Sequence, residues 1–378
     1  MNRSVLSEVL HSTTLHVAPG ALAVARSFRH PTRGMVDCPA HHLLAAHARR
    51  AGLVADSLSL SDTDLGDALP EAPTTVFTVS YEKPEGGHRG LALAVRSNDP
   101  AAIAFARRQI ESWQPVLRTR RVLYVVAPTV GGTADGPRTA GHPVPSQTTD
   151  GPRSPWQPCG CPAGASCPAT GNAQRALRRF LDRGAEVVVV GAPVAGTGTW
   201  PAQALGASAV LVRTPQEAEL LTVTDPDRLA FAVTPGAAVS EVAEILHVLR
   251  RRCPRLRGQH PREWCYTMDD LRTVVASALT QSDTLLVTGE ESAPAVRTAI
   301  TQAARAGVRV RDVTELANLR PDDIDGATIT LLDATPDGRG RREVGQALNG
   351  LGPASHVRRE VRSYPEPSHD AAQSIAAR

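Results

Sequence analysis

The stretch that decides the fold is Cys159-Gly-Cys161-Pro-Ala-Gly-Ala-Ser-Cys167-Pro168, which leads into Ala173–Asp182 and then Gly184-Ala-Glu-Val-Val-Val-Val190-Gly191. Ala173, Ala176, Leu177, Phe180 and Leu181 recur at helical spacing and define one apolar face, leaving Arg178, Arg179 and Arg183 for solvent. Gly184 ends that helix through a positive φ, and the unbroken Val187–Val190 run suits a strand covered on both faces of a parallel sheet. A thiol at Cys167 therefore stands at the mouth of a strand, helix, strand unit, where open α/β sheets present their ligand-binding groups.

Working outward, the 378 residues suffice for two or three cores. Apolar residues make up 42% but aromatics only 3%, so those cores are built from Ala, Val and Leu, an α/β composition. Lysine occurs once, at Lys83, and the net charge is only +3. The arginine clusters Arg250-Arg251-Arg252 and Arg339–Arg342 have no interleaved aromatics, which argues against nucleic-acid binding. Six cysteines in a chain of this length are no disulfide scaffold, and His11, Thr13, Thr14 and His16 break any apolar leader. The expectation is a cytoplasmic protein, not a membrane one, whose clustered thiols serve metal or redox chemistry.

Along the chain, residues 1–27 read as a weakly structured extension. A first α/β module is expected over 28–128: Cys38 stands just ahead of a short helix carrying His41, His42, Leu43, Leu44 and Ala48, with strands at Thr74–Ser80, Leu91–Val95 and Arg121–Val126 and a helix opened by Asp99-Pro100. Its thiol is open to two readings, a metal-bound thiolate favoured by the helix dipole or a small buried hydrophobe. Residues 129–166 form a Gly/Pro-rich insertion without periodicity. A second module, 167–258, holds Cys167 and strands at 187, 209 and 229. A third, 259–351, opens at Trp264-Cys265-Tyr266 and continues through strands near 284, 308 and 328. Residues 352–378 read as a disordered tail. Asp269-Asp270 is expected to start a helix, Cys253 to be structural, and His41, His42 and His47 to be surface residues rather than ligands. Gly191–Gly198 misses the spacing of a phosphate loop.

Cys38, Cys167 and Cys265, one from each module, would give three thiolates, enough for an iron-sulfur cluster with one iron open. Zinc competes, although the Cys159-Gly-Cys161 spacing does not match a zinc finger. On these residues the chain resembles the LytB-type (IspH) 4-hydroxy-3-methylbut-2-enyl diphosphate reductases. Ser166-Cys167-Pro168 with its helix and strand is similar to the family's Thr-Cys-Pro segment, Trp264-Cys265-Tyr266-Thr267 to its third cysteine motif, Asp225–Phe231 to the entry of its Thr-Gln-Thr-Thr strand, and Arg33-Gly34 followed by Cys38 to a distorted first motif.

The resemblance implies an α/β fold of three pseudo-equivalent modules, parallel-sheet sandwiches, around a central cluster. It implies a 4Fe-4S cofactor on Cys38, Cys167 and Cys265, with Cys159 or Cys161 as alternative third ligand. The implied chemistry is reductive dehydroxylation of a small-molecule diphosphate to isopentenyl and dimethylallyl diphosphate in isoprenoid biosynthesis by the methylerythritol phosphate pathway, with electrons from a donor such as ferredoxin or flavodoxin. The chain departs from the family where a phosphate-binding histidine and a relay glutamate are expected, at Ala192–Thr197, and where Gly289-Glu290-Glu291 replaces a phosphate-anchoring Ser-Ser-Asn. These departures open a second reading, a diverged paralogue that keeps the scaffold and binds another ligand. A third reading has no cluster, with Cys167 and Cys265 as core thiols.

Overall fold

The computed structural model describes residues 5–67, 71–126, 159, 161, 167–191, 209–291, 293–335 and 338–362. The chain divides into two compact units, one of Met1–Val125, Ser277–Gly289 and Ala303–Arg359, the other of Val126–Ala276, Glu290–Gln302 and Glu360–Arg378.

The first unit opens with β1 (Leu6–Ser12), β2 (Ala21–His30), β3 (Gly34–Asp37), α1 (His41–Arg50), β4 (Val54–Leu60), β5 (Thr74–Glu82), β6 (His88–Arg96) and α2 (Pro100–Trp113). Its six strands lie in the order β1-β5-β6-β3-β2-β4. Period-2 patterning sorts their side chains: Phe77, Val79, Tyr81, Leu91, Leu93 and Val95 join α1 and α2 in one core, while Val76, Ala92 and Ala94 face a second, smaller one. This corrects the expected βα alternation. β5 and β6 pair antiparallel across a tight turn in which Lys83 N donates to Gly87 O at 2.9 Å, and Gly86 and Gly87 supply the positive φ the turn needs.

The expected extension at 1–27 is likewise corrected. β1 pairs residue for residue with β5, from Leu6 opposite Ser80 to Ser12 opposite Thr74, and β2 pairs with β3, β4 and β6. β1 is an edge strand covered largely on one side, so its polar residues, His11 among them, are compatible with pairing. Asp99 caps α2 by accepting from Ala102 N, and its other oxygen accepts from Gly20 N, both at 3.0 Å. Asp99→Ala is expected to cost about 1 kcal/mol, mainly through the lost cap. Urea denaturation would check this, and a change under a few tenths would refute it.

After β7 (Arg120–Val126) the second unit runs through α3 (Ala169–Leu181), β8 (Glu186–Val190), β9 (Ala209–Val212), α4 (Pro215–Leu220), β10 (Leu229–Val233), α5 (Val239–Arg252) and β11 (Arg257–Gly258). The order β11-β10-β8-β9 is parallel throughout. The valine run reads as expected, alternating between faces. Val187, Ala230 and Ala232 pack under the α3 residues Ala173, Ala176, Leu177 and Phe180, while Val188, Val190, Phe231 and Val233 pack under Val242, Ile245, Leu246 and Leu249 of α5. Gly184 (φ 68°) ends α3 by donating to Leu181 O.

The remaining elements are α6 (Thr267–Leu279), β12 (Thr284–Thr288), α7 (Pro294–Ala306), β13 (Arg309–Asp312), β14 (Thr328–Asp333), α8 (Arg339–Gly350) and β15 (Ala354–Glu360). A five-stranded sheet in the order β13-β12-β14-β7-β15 completes the first unit. Its Leu286, Ile329 and Leu331, with Val344 and Leu348 of α8, join the core that also holds Leu43, Leu93 and Trp113. β7, expected in the first module, thus belongs to the sheet of the third, and the two sheets share one core. β15 occupies part of the stretch read as a disordered tail, where alternation is too weak for a sequence pattern to show it. The insertion at 129–166, apart from Cys159 and Cys161, and the tail beyond 362 lie outside the described residues. The protein is a mixed α/β fold containing parallel sheets.

Candidate metal centre

Cys167 lies two residues ahead of α3, and Cys265 two ahead of α6, so each thiol sits by the positive end of a helix, which favours thiolate over thiol. One polar brace holds the two segments together. Gln259 is fixed to the sheet because its backbone N donates to Phe231 O (3.0 Å) and its Oε1 accepts from Val233 N (2.9 Å). Its Nε2 then donates to Glu263 O at 3.4 Å, and Asn172 of α3 donates to the same carbonyl at 3.2 Å. The loop that carries Cys265 is thereby tied to the helix that follows Cys167. Trp264, buried beside it, packs edge-on against Phe231 with ring centroids 6.4 Å apart.

These constraints bring Cys265 and Cys167 together with Cys159 and Cys161. The four Sγ atoms all lie within 4.8 Å of one another. Each residue is buried, at 3–4% exposure. Packed thiols share protons unequally. Cys265 is driven well below the ordinary thiol range by S–H donation from Cys159, Cys161 and Cys167, and by Thr267. Cys167 is lowered by donation from Cys159 and Cys161, whereas Cys159 and Cys161 are raised, the former chiefly by its bonds to the other thiols. Negative charge therefore gathers on the two sulfurs next to helix N-termini, and a cation is needed before all four can ionise together.

The donor set is sulfur alone, with no histidine or carboxylate in the group, which suits iron-sulfur clusters or zinc and not hard cations. The residues therefore fit a 4Fe-4S cofactor. A tetrahedral zinc with bonds of about 2.3 Å places its sulfurs roughly 3.8 Å apart, so a single ion fits with little movement, while a cluster requires the thiolates to spread.

Of the three expected ligands the structure unites two. Cys38 is not among the four: it packs with Ala25, Phe28, Val36 and Leu60, and burial, then Asp37, pushes its thiol up, outweighing any help from the following helix. Cys253 is in the apolar core under α5, as expected. His47 Nε2 donates to Leu319 O (2.9 Å) and His41 Nδ1 to Cys38 O (2.9 Å), and neither joins a metal-binding group among the described residues. Glu290 and Glu291 are exposed. The departure at Ala192–Thr197 lies outside the described residues. Cys159 and Cys161, which the sequence leaves as alternatives to Cys38 for the third ligand, are the two that the structure places beside Cys167 and Cys265. The available signal was density, three of six cysteines within nine residues.

The LytB protein family model matches residues 160–336. That stretch is similar to LytB sequences. The matched residues include Cys161, Cys167 and Cys265 but not the Arg33–Cys38 motif. The chain is 26% identical over 162 residues to the 4-hydroxy-3-methylbut-2-enyl diphosphate reductase of Roseobacter denitrificans, covering 43% of this chain and 50% of the relative. To that of Acidothermus cellulolyticus it is 30% identical over 161 residues, covering 40% and 46%. The chain thus spans about half the length of these curated relatives. Among solved structures, the E-1-hydroxy-2-methyl-but-2-enyl-4-diphosphate reductase from Plasmodium falciparum aligns with a TM-score of 0.43 at 14% identity, covering 56% of this chain and 70% of that one.

Gly258 is a further support of the centre. It sits opposite Phe231 in the β10–β11 pair, and a Cβ there would fall inside the Phe231 ring. Gly258→Ala is expected to displace Phe231 and the Trp264 it braces, costing about 1–3 kcal/mol and lowering metal retention against a chelator. Unchanged stability and unchanged retention would refute this role.

Proposed function

We propose that the chain is an iron-sulfur reductase of the LytB type, acting in the cytoplasm on 4-hydroxy-3-methylbut-2-enyl diphosphate. The observation that carries the reading is the buried group Cys159, Cys161, Cys167 and Cys265, the last three of which fall in the stretch that matches the LytB model. In the reaction the substrate's carbon–oxygen bond breaks, two electrons and two protons enter, and water leaves, giving isopentenyl and dimethylallyl diphosphate. The cluster would supply the electrons one at a time, drawn from a ferredoxin- or flavodoxin-like donor. The chain's own contribution is to hold four sulfurs in a dry pocket, set Cys167 and Cys265 at helix N-termini where negative charge is favoured, and fix their spacing through Gln259 and Asn172. Six cysteines without a disulfide support a reducing compartment. Among the described residues no helix is long and apolar enough to cross a membrane.

The test is anaerobic purification or reconstitution, iron and sulfide analysis, and turnover of the diphosphate with a strong chemical reductant. A brown protein with equimolar iron and sulfide that consumes the substrate supports the reading. A second reading rests on the 4.8 Å sulfur spacing: a single zinc ion in a closed structural site. One zinc per chain without sulfide, and no turnover, would establish it in place of the first.

A further inference from the structure

The group contains one thiol more than a cluster with an open iron requires. Three thiolates leave one iron of a four-iron cluster free for a ligand, and four leave none. Here four meet without Cys38, each pair of sulfurs within 4.8 Å and every cysteine at least 96% buried. Two are held by secondary structure and the Gln259–Glu263–Asn172 brace. The other two, Cys159 and Cys161, are separated by a single residue and both precede α3.

Resting on the iron-sulfur reading above, we propose that a thiolate of the Cys159–Cys161 pair caps the fourth iron, so that the resting centre is coordinatively closed and an external ligand binds only when that thiolate leaves. The cap is a property of this chain's own residues. It distinguishes a protein that passes electrons through a sealed centre from one that presents a bare Lewis acid to any alcohol. It also gives the resting cluster resistance to oxidative loss of iron, because no iron depends on solvent for its last ligand.

The experiment uses the full chain, reconstituted anaerobically, as wild type, Cys159→Ala and Cys161→Ala. Each is treated with ferricyanide and read by electron paramagnetic resonance and iron content, then reduced and exposed to cyanide. The wild type is expected to keep its four irons, show no three-iron signal and leave its spectrum unshifted by cyanide. At least one variant is expected to lose one iron in four on oxidation, to develop the three-iron signal and to shift with cyanide. A wild type that itself yields the three-iron signal or binds cyanide overturns the cap while leaving the iron-sulfur reading intact. Two variants that both resist oxidation overturn the assignment to this pair. Zinc in place of iron overturns the underlying reading and the cap with it. Circular dichroism of the variants separates loss of a ligand from loss of fold.

Discussion

Cys265→Ser is expected to empty the centre, lowering bound metal per chain at least tenfold and removing any cluster absorbance. Cys265 is where the other three sulfurs and Thr267 direct their hydrogen bonds, which holds its thiol below the ordinary range and favours the thiolate. A serine oxygen in its place is a harder donor that ionises far less readily, and it would sit in a pocket with 4% exposure where an unneutralised hydroxyl earns no solvation. Because metal binding free energy is folding free energy for such sites, the variant also loses the stabilisation that the metal gives the second unit. The control is Cys253→Ala, equally buried at 3% but set among Ile245, Leu249 and Trp264 rather than among thiols. It should keep the metal and lose only packing. Metal analysis of both purified variants decides the matter: full occupancy in Cys265→Ser would remove this residue from the ligand set, and loss in Cys253→Ala would show that the measurement reports general destabilisation.

The parts of the fold legible from sequence were those with strong local patterning. Val187–Val190 and Leu229–Val233 are continuous apolar runs, and the α3 face repeats at helical spacing; each of these settles an element within a few residues. Asp99-Pro100 announced a helix start because the cap and the fixed proline φ act locally. What stayed hidden is non-local. β1 is an edge strand covered on one side and β15 is largely exposed, and each is a strand because of the partner it pairs with, β5 in one case and β7 in the other. The antiparallel arrangement of β5 and β6 depends on a turn at Gly86-Gly87 that alternation alone does not reveal.

The site shows the same division. That Cys167 and Cys265 would meet followed from motifs with a definite place at helix starts, and the geometry brings their sulfurs together. Whether Cys38 or the Cys159–Cys161 pair completes the set is a question of tertiary proximity. A thiol two or three residues before a helix looks the same in sequence whether the helix faces an apolar core or a cluster of sulfurs. For Cys38 the surroundings are Ala25, Phe28 and Val36, which disfavour a thiolate. For Cys159 and Cys161 they are two other thiols already biased towards ionisation. The difference lies in the neighbours, and those are supplied by segments far away in the chain.

Trp113→Ala is expected to be the most destabilising single truncation of the first unit. Trp113 is fully buried in the core that also holds Leu43, Leu93, Leu286 and Leu331, residues from both sheets of that unit. Its indole N–H is satisfied within its own helix by Gln109 Oε1 at 3.3 Å, and its edge packs against His47 with centroids 5.8 Å apart. Removing the ring forfeits the transfer energy of the largest apolar group and leaves a void that α1, anchored through His47 to Leu319 O, cannot collapse to fill. The cost expected for such a change is about 3–5 kcal/mol, a large part of the roughly 5–15 kcal/mol that holds a typical domain together. Trp113→Phe keeps most of the volume and should lose less than half as much. Guanidinium denaturation of the three proteins, followed by circular dichroism, gives the comparison. A loss under 1 kcal/mol for the alanine variant, or equal losses for both, would mean that the two sheets do not depend on this ring for their shared core.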